Sequence, residues 1–287
     1  MLDNTATSAL ASARTFLFVP ANRPERYAKA LASGADAVIV DLEDAIAPSE
    51  KQSARQSLLQ AAASLEAAQC SRLLVRINAA GTAWQADDLA ALRILAAQGI
   101  GAVMVPKAES AATLAEVAAA LGPAGALLPL IESVAGLDAI DTLAAHPQVL
   151  RLVFGHLDFQ ADAGLACGVD ESELVPVRLA LVMASRRVAL AAPIDGISPG
   201  TEDMAQIGLD AARSRRGGFG GKLCIHPAQV GMVNAAFTPS AEELSWARRV
   251  IDAFQAAGGG VFSLDGRMVD APVLRLAQRT MAQSRRN

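Results

Sequence analysis

The stretch VIVDLEDAI, from Val38 to Ile46, decides the fold. It begins as an uninterrupted apolar, β-branched run, which is typical of a strand in a parallel sheet covered on both faces. It then places three carboxylates within four positions, at Asp41, Glu43 and Asp44. Because buried charges need partners, carboxylates at the end of such a strand indicate a functional edge rather than a core.

The same pattern of apolar strand, polar turn and alanine-rich amphipathic helix recurs along the chain. It predicts eight strands: Thr15–Pro20, Ala37–Leu42, Arg72–Ile77, Ala102–Pro106, Ala126–Ile131, Arg151–Gly155, Ile194–Ser198 and Lys222–Ile225. Eight strand–helix units in one chain fit an α/β fold of the (β/α)8 TIM-barrel type. A doubly wound open sheet is the alternative, but no GxGxxG follows the first strand and the chain has no Walker motif.

Helix starts and the domain boundary are also marked in the sequence. Ser49 with Gln52, and Ser240 with Glu243, have the spacing of capping boxes. Three glycines from Gly258 form an expected hinge, and the residues after them are more than a barrel needs. We therefore expect a catalytic barrel domain at 1–257 and a C-terminal hinge and extension at 258–287.

Composition limits the classes of function. The chain has 287 residues and a formal net charge of −4, without the long basic runs typical of nucleic-acid binding. Its three cysteines lack CxxC spacing, which favours a reducing compartment. We find neither a signal-peptide pattern nor an uncharged apolar run of the roughly 20 residues that a membrane helix needs. The expectation is a soluble, cytoplasmic protein with no nucleic-acid or membrane partner.

Polar residues gather where the predicted strands end. In a TIM barrel the active site lies at these carboxyl ends, which we call the rim. The strand-end residues are Asn22, Arg23, Asp41, Glu43, Asp44, Arg76, Asn78, Lys107, Glu132, His156, Asp158, Ser198 and His226. Glu132 and Asp158 follow adjacent strands, and two carboxylates without a Cys–His cluster favour Mg²⁺ over zinc. Arg76 is suited to form a bidentate contact with a substrate carboxylate. A cation and an arginine together suit an anionic oxoacid or hydroxyacid whose oxygen must be polarised.

Structural interpretations of the same residues stay open. A single strand-end carboxylate is more often a helix cap or part of a loop salt bridge than a metal ligand. Lys107 is a Schiff-base candidate, although a loop ion pair explains it equally. His156 and His226 are as compatible with structural roles as with chemistry.

An ordered set of motifs carries a family resemblance. In chain order they are RTFLFVPANRPERYAKALASGADAVIVDLEDAI, VRIN, VPKAES, LPLIES, GHLDFQADAGL, GKLCIHPAQV and LDGRMVDAP. From Arg14 to about Arg279 the chain resembles the CitE-like branch of the HpcH/HpaI aldolase superfamily, which includes citrate lyase β subunits and malyl-CoA lyases. Any one motif is weak, but the ordered set is specific.

The resemblance implies roles for particular residues. Glu132 and Asp158 would be the Mg²⁺ ligands, and Arg76 would clamp the oxoacid carboxylate. Glu43 and Asp44 would orient water molecules around the metal. Asp270, in a C-terminal lid that covers a neighbouring subunit's site in such proteins, would be the general acid/base. Substrate contacts would come from Arg14, Asn22, Arg23 and Pro227, the last in a segment lining the CoA side of the cleft.

The activity that the resemblance implies is Mg²⁺-dependent cleavage or formation of a 3-hydroxyacyl-CoA thioester such as citryl-CoA or malyl-CoA. The products would be an oxoacid and an acyl-CoA, and the protein would be a homo-oligomer such as a trimer. One alternative is a class II pyruvate-type aldolase that acts on free hydroxy-oxo acids without CoA. The other is a non-catalytic binder of CoA esters or oxoacids.

Overall fold

The first part of the chain is a closed parallel barrel. The structure is a computed structural model that describes residues 4–284, with side chains described for residues 8–283. The barrel strands are β1 (Thr15–Pro20), β2 (Ala37–Asp41), β3 (Leu73–Arg76), β4 (Ala102–Val105), β5 (Ala126–Ile131), β6 (Val153–Phe154), β7 (Ile194–Asp195) and β8 (Gly221–Cys224). They pair in sequence order, and β1 closes the barrel against β8. The predicted TIM barrel is confirmed, although β6 and β7 are shorter than expected.

Fourteen helices lie in the described range 4–284, and the last two belong to the second of two compact units. They are α1 (Asn4–Ser12), α2 (Tyr27–Leu31), α3 (Lys51–Ala62), α4 (Ala67–Cys70), α5 (Gln85–Ala97), α6 (Ala111–Leu121), α7 (Val134–Asp138), α8 (Ile140–Ala144), α9 (His156–Ala163), α10 (Val175–Arg187), α11 (Met204–Arg216), α12 (Pro227–Phe237), α13 (Ala241–Ala256) and α14 (Ala271–Ser284), with 3₁₀ turns at Pro24–Arg26, Pro48–Glu50 and Ser172–Leu174. No helix in the described range 4–284 has the length and apolar content to cross a membrane.

The barrel interior is packed and apolar. Phe16, Ile39, Leu74, Met104 and Leu128 belong to one buried cluster contributed by successive strands. Such inward-facing layers make the barrel a core rather than a channel, so that polar side chains are confined to its ends.

Strand register sets the first contact of the site. Asp41, the last residue of β2, is the direct neighbour of Arg76 on β3 and of Pro20 on β1. Parallel strands in this register end at the same level. The acidic stretch and Arg76 therefore reach the rim side by side.

The capping-box predictions had different outcomes. Ser240 caps α13, and both hydrogen bonds of its box with Glu243 are present. The Ser49–Gln52 prediction is wrong, because Pro48–Glu50 forms a 3₁₀ turn and α3 begins at Lys51 without a side-chain cap. The proline fixes φ at the start of this turn, and the serine lies inside the turn instead of before a helix.

The chain divides into two compact units between Asn234 and Ala235. In the second unit α13 packs against α14 and a short antiparallel hairpin, β9 (Phe262–Leu264) and β10 (Arg267–Val269). Its small core includes Ala247, Val250, Val269 and Ala277. The division precedes the expected boundary at 257/258 because α13 packs with the C-terminal elements. The lid function predicted for 258–287 stays a prediction.

Candidate active site

A cavity of about 450 Å³ opens at the carboxyl ends of the barrel strands. Its ionisable lining residues are Asp41, Asp44, Arg76, Glu132, His156 and Asp158, and its apolar lining includes Phe18, Leu130, Phe154, Ile197, Leu223 and Ile225. This is the end of a TIM barrel where active sites are built. Four of the predicted site residues line this cavity: Asp44, Arg76, Glu132 and Asp158. A fifth, Glu43, adjoins it through its contact with Arg76.

Arg76 is held by a bidentate contact with Asp41. Its Nε donates to Asp41 Oδ1 at 2.7 Å and its Nη2 donates to Oδ2 at 2.6 Å, and both residues are buried. Its Nη1 donates to Asp44 Oδ2 at 3.1 Å and also lies 3.1 Å from Glu43 Oε2. Because one edge of the guanidinium is committed to Asp41, Nη1 is the donor best placed to exchange partners.

The acidic loop after β2 is shaped by its own carboxylate and by a lysine. Asp41 accepts hydrogen bonds from the backbone N–H groups of Glu43 and Ala45, at 2.9 and 3.0 Å. This is the local turn chemistry that Asp favours. The buried Lys51 donates to the carbonyl oxygens of Leu42 and Glu43, at 2.8 and 2.6 Å. These contacts fix the directions in which Glu43 and Asp44 leave the loop.

Glu132 is fixed from two sides. Its Oε1 accepts a 2.7 Å hydrogen bond from the backbone N–H of Lys107, whose φ of 44° is strained for a residue other than glycine. On its other side a Cβ at Gly155 would lie 2.6 Å from Glu132 Oε2, so only glycine leaves room for this carboxylate. The strained peptide accounts for Lys107 structurally, because its backbone and not its amine contacts the site carboxylate.

The site carries an excess of negative charge. We call Asp41, Glu43, Asp44, Glu132 and Asp158, with Arg76, the acidic cluster. Burial raises the pKa of Glu43 to about 8; Arg76 opposes the shift, and the charges of Asp44, Glu132 and Asp41 add to it. Burial, with the charge of Asp158 added, raises the pKa of Glu132 to about 7 against the Lys107 hydrogen bond. Burial is the main cause of both raised pKa values, and the neighbouring carboxylates add to it.

The residues fit a hard divalent cation. Glu43 Oε2 is buried and accepts no hydrogen bond from the described residues, and the exposed Asp158 faces the same cavity as the buried Glu132. No group of three or more His, Cys, Asp or Glu side chains in the described range is placed to hold a metal ion, so the protein would supply two ligands. Two carboxylates beside open space suit Mg²⁺, which usually keeps water or substrate oxygens in most of its positions.

Three predicted substrate contacts lie near the rim but outside the cavity lining. Asn22 Nδ2 donates to Glu50 Oε2 at 3.1 Å, and the exposed Arg23 lies 3.9 Å from Glu25. Pro227 is exposed at the first position of α12, beyond the end of β8. Their substrate-binding roles stay predictions.

Arg14 requires a correction. It precedes β1 and therefore lies at the amino ends of the strands, opposite the rim. There its Nε and Nη2 donate to the two carboxylate oxygens of Asp36, both at 3.0 Å. The predicted substrate contact is wrong because Arg14 precedes β1 and the rim follows it.

Asp270 belongs to the second unit, where its side chain serves a helix start. Its Oδ1 accepts a 3.2 Å hydrogen bond from the backbone N–H of Val273, in the first turn of α14. This is the geometry of an N-cap. Its predicted role as a general acid/base stays a prediction.

Sequence reasoning missed a second group of buried charges. We call Glu171, Asp195 and Asp210, with Arg178, Arg213 and Lys222, the balanced cluster. Arg178 bonds to Glu171 and lies 3.2 Å from Asp195, and Arg213 bonds to Glu171 at 2.8 Å. Burial would raise the pKa of Glu171, but His156 and Arg178 lower it to about 2. Apart from Asp210 and Arg213, three residues apart on α11, the members come from separate elements and form no motif, so the sequence does not indicate the group.

The fold and the site define a barrel enzyme whose polar machinery stands at the carboxyl ends of its strands. The sequence profile of the family described as HpcH/HpaI aldolase/citrate lyase matches residues 14–227. The chain belongs to this family, and the resemblance inferred from its motifs is confirmed.

Named relatives match nearly the whole chain. A citrate lyase subunit beta-like protein of Mycobacterium tuberculosis is 38% identical over 277 residues, covering 92% of each chain. A (3S)-malyl-CoA thioesterase of Cereibacter sphaeroides is 33% identical over 274 residues, covering 94% of each. Among solved structures, CitE from M. tuberculosis in complex with magnesium, acetoacetate and coenzyme A superimposes with a TM-score of 0.82 at 35% identity. That match covers 96% of this chain and 99% of the other.

Proposed function

We propose that this protein is a Mg²⁺-dependent carbon–carbon lyase that cleaves or forms a 3-hydroxyacyl-CoA thioester. The observation that carries the proposal is the acidic cluster. Glu132, Asp158 and Arg76 meet in one cavity, and burial among like charges raises the pKa of Glu132 to about 7. A cation between these carboxylates would remove the repulsion.

The comparisons support the substrate class. The solved CitE structure was obtained with magnesium, a 3-oxoacid and coenzyme A together. Both named relatives refer to citrate lyase or to a CoA thioester of a hydroxyacid. When bound, Mg²⁺ would polarise the oxygen of the oxoacid at the bond that breaks.

Arg76 would bind the carboxylate of the oxoacid. Its Nη1 leaves Asp44, whose side chain is 70% exposed, while Asp41 keeps hold of the other edge. Because water can solvate the exposed Asp44 carboxylate once it is released, exchanging it for a substrate carboxylate costs little. Asp41 thereby orients the arginine throughout the reaction.

Two proton transfers complete the cleavage. The C3 hydroxyl proton passes to a carboxylate of the acidic cluster as the Cα–Cβ bond breaks. The electron pair of that bond moves onto the thioester as an enolate, and Asp270 gives a proton to its α-carbon. In the synthetic direction Asp270 removes the same proton. A thioester suits this chemistry because its α-proton is more acidic than that of a carboxylate.

Product analysis tests the proposal. We would incubate the full-length protein with malyl-CoA or citryl-CoA and Mg²⁺, and then measure oxoacid, acyl-CoA and free CoA thiol. The lyase gives equal amounts of oxoacid and acyl-CoA without free thiol. Asp158→Asn should lose this activity, whereas Asp36→Asn, a carboxylate paired with Arg14 at the other end of the barrel, should keep it.

The thioesterase relative favours hydrolysis as a second candidate. Water would then attack the thioester carbonyl and release free CoA thiol with the intact hydroxyacid, and no oxoacid would form. The same assay separates the two reactions. Turnover of a free hydroxy-oxo acid, with none of any thioester, would instead support the aldolase alternative and contradict both.

A further inference from the structure

The cavity has a charged side and an apolar side. Its ionisable groups come from β2, β3, β5 and the segment after β6, and some apolar residues lie among them: Leu130 on β5, Phe154 on β6, and Phe18, whose ring lies under Arg76. At the ends of β7 and β8 the lining side chains are apolar, namely Ile197, Leu223 and Ile225, and we call this stretch the apolar side. Because the strands close in sequence order, β7, β8 and β1 lie across the barrel from β3 to β5. The two sides therefore face each other.

The two halves of the proposed substrate match this division. An oxoacid is anionic, and burying its carboxylate among apolar side chains without a partner would be costly. The acyl chain of a thioester is apolar and gains by burial against the opposite side. We therefore assign the oxoacid to the charged side and the acyl chain to the apolar side.

His156 stands where the two sides meet. It is the first residue of α9, it is 1% exposed, and it lines the cavity beside Gly155. Its ring rests on the backbone of Gly196, where a Cβ would lie only 2.0 Å from Nδ1. Its Nε2 lies 3.3 Å from Glu171 Oε1. Nδ1 lies against Gly196 and Nε2 lies near Glu171, so the ring contributes volume rather than a hydrogen-bonding group to the cavity lining.

This ring is held in place from behind. Glu171 has a φ of 50°, a strained value for a residue other than glycine. Its carboxylate forms ion pairs with Arg178 and Arg213. Such strain persists only where the surroundings impose it, and it concentrates at functional positions. Because these ion pairs fix Glu171, the His156 ring beside it cannot move easily to make room for a larger ligand.

We propose that His156 is a specificity-determining residue that limits the length of the acyl chain accepted by the enzyme. This inference rests on the proposed lyase function, because it concerns the acyl-CoA half of that reaction. The imidazole lines the cavity between Asp158 and the apolar side. A short acyl group fits beside it, and each added methylene meets the ring.

The test is an acyl-chain series measured in the condensing direction. We would determine kcat/KM for acetyl-, propionyl- and butyryl-CoA with a fixed oxoacid and Mg²⁺, in the wild type and in His156→Ala. We expect the butyryl-to-acetyl ratio to rise about tenfold or more in His156→Ala, which is the scale on which a pocket discriminates methylenes. His156→Phe keeps the bulk and should leave the ratio within about twofold of the wild type.

The ratio separates specificity from general damage. A variant that merely folds poorly loses activity with every acyl-CoA equally, and His156→Asn offers a milder truncation if His156→Ala does not fold. An unchanged ratio in the truncated variants, with an active wild type, overturns this inference and leaves the lyase function standing. A rise in His156→Phe equal to that in His156→Ala also overturns it. A wild type inactive on all thioesters overturns both.

Discussion

The acidic cluster and the balanced cluster are two groups of charges around one barrel, and they differ in how their charges are matched. In the balanced cluster each carboxylate has a cationic neighbour, and the pKa values of Glu171 and Asp195 are lowered despite burial. In the acidic cluster the carboxylates surround Arg76, and the pKa values of Glu43 and Glu132 are raised. A matched group stabilises the fold, whereas an unmatched group indicates a ligand of opposite charge.

The largest expected effect is on catalysis at the acidic cluster. Glu132→Gln should lower kcat/KM for the thioester substrate on the order of a thousandfold, because Lewis-acid stabilisation by a metal contributes several kcal/mol. Glu116→Gln, at an exposed position of α6, is the matched control and should retain activity. Steady-state kinetics at saturating Mg²⁺ make the comparison, and equal activity of the two variants would contradict the assignment.

Stability should respond in the opposite order. Asp195→Asn removes the fully buried carboxylate that Arg178 and Lys222 share and should cost about 3–5 kcal/mol of the free energy of unfolding. Glu132→Gln, measured without Mg²⁺, should cost little or stabilise, because it removes one of several repelling charges. Urea unfolding of both variants tests this difference. A larger loss in Glu132→Gln than in Asp195→Asn would contradict both the excess of negative charge in the acidic cluster and the charge matching of the balanced cluster.

The pH dependence of stability should also differ in sign between the clusters. Glu43 has a pKa of about 8 in the folded protein against an ordinary value of 4.5, so the unfolded chain releases this proton first. Its contribution lowers the free energy of unfolding as pH rises from about 5 to 8. Glu171, with a folded pKa of about 2, stabilises above 4.5 and loses that contribution as pH falls towards 2.

Variants isolate each contribution. Without Mg²⁺, Glu43→Gln should flatten the decline between about pH 5 and 8, and Glu171→Gln should flatten the acid side. Thermal unfolding across this pH range supplies both curves. Because a bound cation offsets the charge of the acidic cluster, Mg²⁺ should raise Tm more at pH 8 than at about pH 5. An equal rise at both values would contradict this explanation of the raised pKa values.

The smallest expected effect on stability concerns Asp270. Asp270→Ala removes the N-cap of α14 and should cost about 0.5–2 kcal/mol in the C-terminal unit, whereas Asn caps about as well as Asp. Asp270→Asn should therefore keep stability and lose activity if the carboxylate transfers the proton. Ser240→Ala, at the N-cap of α13, is the control for loss of a cap alone. An active Asp270→Asn would assign Asp270 to capping only.

Local and periodic features of the fold were predictable from the sequence. All eight strands are present near their expected positions, because buried parallel strands are continuous apolar runs that end in turn signals. The two shortest, β6 and β7, were predicted too long. The segments after them turn at Gly155 and Gly196, where Glu132 and His156 press against the backbone, and a sequence pattern does not report such contacts.

The candidate site was predictable in membership but not in pairing. The parallel strands of a TIM barrel all end at the same rim, so the position of Glu132, Asp158 and Arg76 at strand ends was enough to place them there. That Asp41 holds Arg76 follows from the β2–β3 register, which depends on the closed barrel. The contact of His156 with Glu171 depends on how the loop after α9 folds back, and nothing local in either residue indicates it.

Calorimetric titration of Mg²⁺ tests the central claim most directly. We would titrate Mg²⁺ into the wild type, Glu132→Gln and Asp195→Asn at pH 8, where the carboxylates of the acidic cluster are most ionised. We expect one Mg²⁺ site in the wild type, its loss in Glu132→Gln with unchanged circular dichroism, and its retention in folded Asp195→Asn. Absence of Mg²⁺ binding in the wild type, or equal binding in Glu132→Gln, would contradict the claim.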